Sequence, residues 1–324
     1  MPQLFPTNDE EWMTHVLNIH GTMFERLCQH SIQQSPNWAL KCSRYPVEFP
    51  PSYTPQVSQT KNSELDLWGI CQCPGIKIEL LVECKKNNSD YIDWVFFPTT
   101  PSMFPMIRTL KYQRPSYNLT GPWQAERETL CLVTPPSVPV ADDGRETKGT
   151  YQARWQQLHN GNGKQTPRDF TKTSNAAITE AAYQIALATQ ALLLQERRNN
   201  DALAQKNQPI PIWRQVFLPL IVTTANLWTC QFPAEKVDSA TGEIPFNEVV
   251  YQKHPYLFFT YALPPVLQYH PADNQLEYKS DEEWEQLARF PILVVQSAAF
   301  PDLLMHLSRM TRDDNGRLTL PTLS

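Results

Sequence analysis

The stretch 64-ELDLWGICQCPGIKIELLVECKK-86 decides how this chain is read. Two ten-residue runs, 64–73 and 76–85, are dominated by apolar residues and are joined by Pro74-Gly75. Proline presets φ at one turn position and glycine is free to take positive φ at the next, so the dipeptide predicts a β-hairpin. Side chains alternate along a strand. Ile78, Leu80, Val82 and Cys84 therefore fall on one face, and Glu79, Leu81, Glu83 and Lys85 on the other. With a two-residue link at the centre, paired positions sum to 149, which sets Asp66 opposite Glu83. Directly opposed residues lie roughly 4.5–5.5 Å apart, and Lys85 follows on the same face about 7 Å further on. A link longer by one residue would reverse the faces and break the alignment.

Two carboxylates held this close repel unless a proton or a cation lies between them. A few hard oxygen donors, completed by water and substrate phosphate, are what Mg²⁺ prefers, with Mn²⁺ as its substitute. A neighbouring lysine would orient or deprotonate an attacking water, or offset charge growing on a phosphate. Taken alone, Glu-x-Lys at a strand end also describes an ordinary solvated ion pair of little energetic weight. The rest of the chain has to discriminate between the two.

Around the hairpin, periodicity predicts further elements. Asn8 or Asp9 caps a helix over 9–34, with Trp12, Val16, Ile19, Met23 and Leu27 at helical spacing. A short strand near 38–45 leads to a proline-rich loop closed by Pro50 and Pro51. Ser174 or Asn175 caps an alanine- and leucine-rich helix over 175–200. "RQVFLPLIVTTANLWTCQF" reads as a buried central strand running on into a second. "HPYLFFTYALPP" and "FPILVVQSAAF" supply two more strands, and 301–310 a final helix. Residues 87–172, broken by "FFPTTPSMFPM", "TPPSVPVADDGRETKG" and "HNGNGKQTP", read as a long irregular insertion with little core structure and a short helix at Tyr151 to His159.

These elements and residues resemble the restriction endonuclease-like superfamily, whose signature is written PD-(D/E)xK. Asp66 in "ELDLWG" matches the first acid, and Glu83 and Lys85 in "VECKK" match the second acid and the lysine. The order helix, three-stranded meander, helix, strand follows the superfamily core over 9–225. Glu25 in "GTMFERLCQH" fits the acidic residue that many members carry in the first helix. The proline of the signature is absent before Asp66, and the insertion is unusually long.

The resemblance implies an α/β fold, a mixed sheet flanked by helices. It would be a single nuclease domain over 1–324 with an insertion at about 87–172 and a C-terminal extension at about 226–324. It also implies a Mg²⁺- or Mn²⁺-dependent endonuclease acting on nucleic acid, DNA rather than RNA, in restriction or antiviral defence. Asp66 and Glu83 would hold the metal, Lys85 would position the water, and Glu25 would act beside them. A homodimer would follow from the need to cut two strands, and a protein partner in a defence complex is the other expectation. The alternative is a nuclease-fold subunit that binds or assembles without cutting.

Composition sets bounds on these expectations. The 324 residues carry a net charge of −5, which argues against a surface that clings to nucleic acid everywhere. Between 86 and 172, however, 11 Lys and Arg face 8 Asp and Glu, a locally basic balance compatible with a phosphate-tracking groove. The start has no basic region followed by an apolar run, and no 18-residue apolar stretch occurs, so neither a signal peptide nor a membrane span is expected. Seven scattered cysteines with no C-x-x-C spacing suggest a reduced, cytoplasmic chain without structural zinc. Cys71, Cys73 and Cys84 are expected as buried thiols, and the sequons at Asn87 and Asn118 as chance matches. Glu79 is expected in solvent, and Lys86 on the opposite face in a structural role or as a phosphate contact. "GNGK" at 161–164 lacks the preceding strand and the Ser/Thr of a phosphate loop.

Overall fold

A computed structural model describes residues 9–19, 21–47, 64–87, 92–99, 105–113, 124–147, 176–205, 214–263, 289–312 and 317–320. The chain is mixed α/β, a large mixed sheet with helices on both faces. Its elements are α1 (Asp9–Ile19), α2 (Thr22–Gln34), β1 (Trp38–Pro46), β2 (Glu64–Cys73), β3 (Ile76–Lys85), β4 (Asp93–Pro98), β5 (Met106–Gln113), β6 (Gln124–Val133) and β7 (Val140–Thr147). They continue with α3 (Ala176–Gln205), β8 (Arg214–Thr223), β9 (Asn226–Gln231), β10 (Val250–His254), β11 (Tyr256–Ala262), β12 (Arg289–Gln296), α4 (Phe300–Leu307), β13 (Thr311–Arg312) and β14 (Leu318–Thr319).

The hairpin forms in the expected register. Leu67 pairs with Val82 and Cys73 with Ile76, with Gly75 at φ +71° in the turn. β1 adds antiparallel to β2, and β3 runs parallel to β8 along its length, from Lys77 opposite Gln215 to Lys85 opposite Thr223. All ten residues of β8 are buried, as its unbroken apolar run requires of a central strand. The other edge of β8 is shared: β5 pairs antiparallel with Arg214–Phe217, and β12 pairs parallel with Leu220–Thr223. Pro219, with no N–H to leave orphaned, stands between the two pairings and lines a small gap with Phe217, Phe290 and Pro291.

Alternation sorts the core into two layers. Val216, Leu218, Leu220 and Val222 of β8 join Ile78, Leu80 and Val82 of β3 under α2 and α4. Phe217 and Ile221 join Leu81, Trp68, Trp94 and Phe96 under α3. So the hairpin has no solvated face, because α3 covers the side that carries Glu79, Leu81 and Glu83.

Three expectations are corrected. The helix expected over 9–34 is interrupted at Gly21, whose φ of +75° is left-handed, and α2 starts afresh at Thr22. Its buried stripe is then Phe24, Cys28 and Ile32, leaving Trp12, Met23 and Leu27 exposed. The stretch expected as an irregular insertion contributes four strands up to Thr147, with Trp94, Phe96, Leu110 and Ala141 fully buried. The helix expected at 151–159 and the "GNGK" segment lie outside the described residues. Finally, the residues expected as a C-terminal extension are integral, since β12 completes β8 and the Trp38 indole N–H donates to the Leu304 carbonyl of α4 at 2.8 Å.

Candidate functional site

The ends of β2 and β3, with α2 beside them, enclose an open cleft of about 240 Å³ lined by Gly21, Glu25, Asp66, Glu83, Cys84, Lys85 and Lys86. It lies at the carboxyl end of β3 and beside that of parallel β8, where open α/β sheets place their ligands. The four residues singled out from sequence, Glu25, Asp66, Glu83 and Lys85, therefore share one cavity.

Asp66 stands one residue beyond the last paired position of the hairpin, and its side chain prolongs the ladder: the Cys84 backbone N–H donates to Asp66 Oδ2 at 2.7 Å. Burial pushes the Asp66 carboxyl up to about 6, against the lowering effect of that bond, and the nearby Glu25 adds to the rise. Glu83 is only 5% exposed, and burial, then the Asp66 charge, push it up to about 8. Lys85 opposes that rise, with its Nζ 3.3 Å from Glu83 Oε1. The pair is thus short of positive charge, the condition in which two carboxylates hold a proton or accept a cation.

Lys85 Nζ also donates to Gln184 Oε1 of α3 at 3.1 Å. One turn earlier, Glu180 adds negative field on Glu83. Neither α3 residue was singled out from sequence. The available signal was their i, i+4 spacing as polar positions in a helix otherwise rich in alanine and leucine. The N-terminus of α3 is fixed from β7, where Glu146 Oε1 accepts the Ala177 N–H at 2.7 Å, so the helix holds Glu180 and Gln184 in place over the strand end.

Glu25 is held by Arg44 of β1, with Nη2 3.1 Å from Oε2. Lys86, expected on the opposite face, lines the same cleft, and its ammonium donates to the Asn18 carbonyl at the end of α1. The cysteines are free thiols. The thiol of the partly buried Cys84 is pushed well up by its hydrogen bond with Cys28 and by desolvation, and offers no thiolate.

Among the described residues no three His, Cys, Asp or Glu side chains are grouped as a metal cage. What the cleft offers is two adjoining carboxylates, Asp66 and Glu83, with room beside them. That donor set fits a hard cation that keeps several waters, Mg²⁺ or Mn²⁺, and does not fit zinc.

Glu79 departs from expectation. It is fully buried, accepting from the Trp68 indole N–H at 2.6 Å and the Gln215 amide at 2.6 Å, with Lys77 Nζ at 2.5 Å. It is therefore a structural charge and lies apart from the cleft. The apolar character of α3 over 176–196 would suffice to cross a bilayer, but 72% of that window is buried in the core.

No protein-family model, curated protein or solved structure matches the chain.

Proposed function

We propose that the protein is a metal-dependent phosphodiester hydrolase with a restriction endonuclease-like core, acting on nucleic acid and on DNA in preference to RNA. The observation that carries this reading is the convergence of Asp66, Glu83 and Lys85 in one cleft at the end of a paired hairpin, with both carboxyls raised by burial, Asp66 further by Glu25 and Glu83 further by Asp66. Asp66 and Glu83 would hold Mg²⁺ or Mn²⁺, which when bound supplies positive charge to the phosphate and lowers the pKa of a water. The role of Lys85 follows from its position. Its ammonium, anchored by Glu83 and Gln184, has a third N–H direction to give to the attacking water or a phosphate oxygen. Water adds to phosphorus, one P–O bond breaks, and the products are a phosphomonoester and a hydroxyl.

The test uses wild type, Asp66→Ala and Lys85→Ala with plasmid and single-stranded substrates in Mg²⁺ or Mn²⁺. Both variants are expected to lose at least about a hundredfold in rate, the scale of a lost electrostatic or acid–base contribution. Equal nicking by all three proteins, or full activity in excess chelator, would remove the site assignment. Binding without cleavage under every metal would select the alternative of a nuclease-fold binding subunit.

A further inference from the structure

Four strands line up across the site. Ser43 pairs with Leu67 and Tyr45 with Leu65, so the residue they bracket, Arg44, stands across from Asp66. In the hairpin register Asp66 faces Glu83, and Glu83 pairs with Ile221. Arg44 is thus the outermost member of the row that contains both candidate metal ligands. Its backbone is also unusual. Its φ is +54°, in the left-handed region that L residues with long side chains rarely adopt, inside a strand where extended backbone is the norm. The arginine side chain is 57% exposed and is ion-paired with Glu25, which lines the cleft.

The charges of the cleft give this placement a purpose. Glu25, Asp66 and Glu83 face Lys85 and Lys86, and Lys86 is committed to the Asn18 carbonyl. A polyanion entering such a cleft needs a cation with donors to spare. A guanidinium presents five N–H donors in a fork that matches phosphate, and an exposed one can exchange a carboxylate for a phosphate with little rearrangement. The exchange would also release Glu25 toward Asp66 and Glu83.

We propose that Arg44 is the phosphate-binding residue of this site, and that its ion pair with Glu25 is a latch exchanged for a backbone phosphate when nucleic acid enters, freeing Glu25 to join Asp66 and Glu83. The proposal rests on the hydrolase reading for its biological meaning but is tested by binding alone.

The probes are a labelled mixed-sequence single-stranded oligonucleotide and its duplex. Binding is followed by anisotropy in Ca²⁺ in place of Mg²⁺, over a range of salt, for wild type, Arg44→Ala, Arg44→Gly and Glu25→Gln. Both Arg44 variants are expected to bind about tenfold more weakly, with the salt slope reduced by about one. Arg44→Gly, suited to the left-handed backbone, is expected to melt at or above the wild-type temperature, which separates lost contact from lost fold. Glu25→Gln, with the latch opened, is expected to bind tighter than wild type. Wild-type affinity and slope in the Arg44 variants, or no gain in Glu25→Gln, would overturn the proposal. If wild type binds neither probe, the latch and the hydrolase reading both fall. If these shifts appear but wild type never cleaves in Mg²⁺ or Mn²⁺, the hydrolase reading falls and the Arg44 assignment stands.

Discussion

Glu83 is a carboxyl held where its charged form is disfavoured, and that has a thermodynamic signature. Its folded-state pKa of about 8 lies above the ordinary carboxyl value of 4.5, mainly through burial. The folded protein thus binds a proton that the unfolded chain releases. The stabilisation is complete below the unfolded value and is lost as pH rises through about 8. Asp66, raised to about 6, acts in the same direction over a lower window. Melting of the metal-free protein should therefore fall in temperature from pH 5 to pH 8. Glu83→Gln should flatten that profile and, near pH 8, stabilise on the order of 2–4 kcal/mol. Millimolar Mg²⁺ or Mn²⁺ should restore the wild-type melting temperature at pH 8 and leave Glu83→Gln nearly unmoved, because a ligand stabilises the state that binds it. Wild type that melts independently of pH and metal would contradict the assignment. On the proposed function, Glu83 is thus kept at a cost in stability, as functional carboxylates commonly are.

Elements differ in how far they could be read before the structure was in hand. The hairpin was legible because its turn dipeptide, its alternation and its register are all local. α3, β8, β11 and β12 were legible as sustained apolar runs. β4 to β7 were not. "QAERETLCLV" and "VADDGRET" carry charges at many positions, and prolines separate the runs, so the core contribution of Leu130, Leu132 and Ala141 is masked in the sequence. The break at Gly21 was hidden by apolar spacing that runs through it. At the site, Asp66, Glu83 and Lys85 followed from register. Gln184 and Glu180 could not, because their approach depends on how a helix nearly a hundred residues away lies on the sheet. The burial of Glu79 is of the same kind, created by Trp68, Lys77 and Gln215 together. That network yields a prediction of its own: Glu79→Ala, which strands Lys77, should cost about 3–5 kcal/mol in denaturant unfolding. The double variant Glu79→Met with Lys77→Met should recover most of it, since a buried pair replaced as a whole is often neutral. Neither change is expected to alter cleavage per folded molecule.

The whole molecule is more tightly interdependent than its first 225 residues suggest. Those residues contain α2, the β1–β3 meander, α3 and β8, yet β8 would lose β12 from Leu220–Thr223, and α2 would lose α4, if the chain stopped there. Leu220, Val222 and Ile221 are each fully buried in the complete protein. Truncation after 225 is therefore predicted to give protein without a cooperative melt, measured by circular dichroism or calorimetry, and a soluble, cooperatively melting fragment would refute this. At this scale the shared edge of β8 has a further meaning. A strand has two edges, and here they serve three neighbours: β3 along one, and β5 then β12 along the other. The sheet is a three-way junction with the cleft on only one arm. The far ends of the other two arms are β13 and β10, and strands added beyond them would leave Glu83 seated against Ile221, so the outer edges can lengthen without moving the cleft.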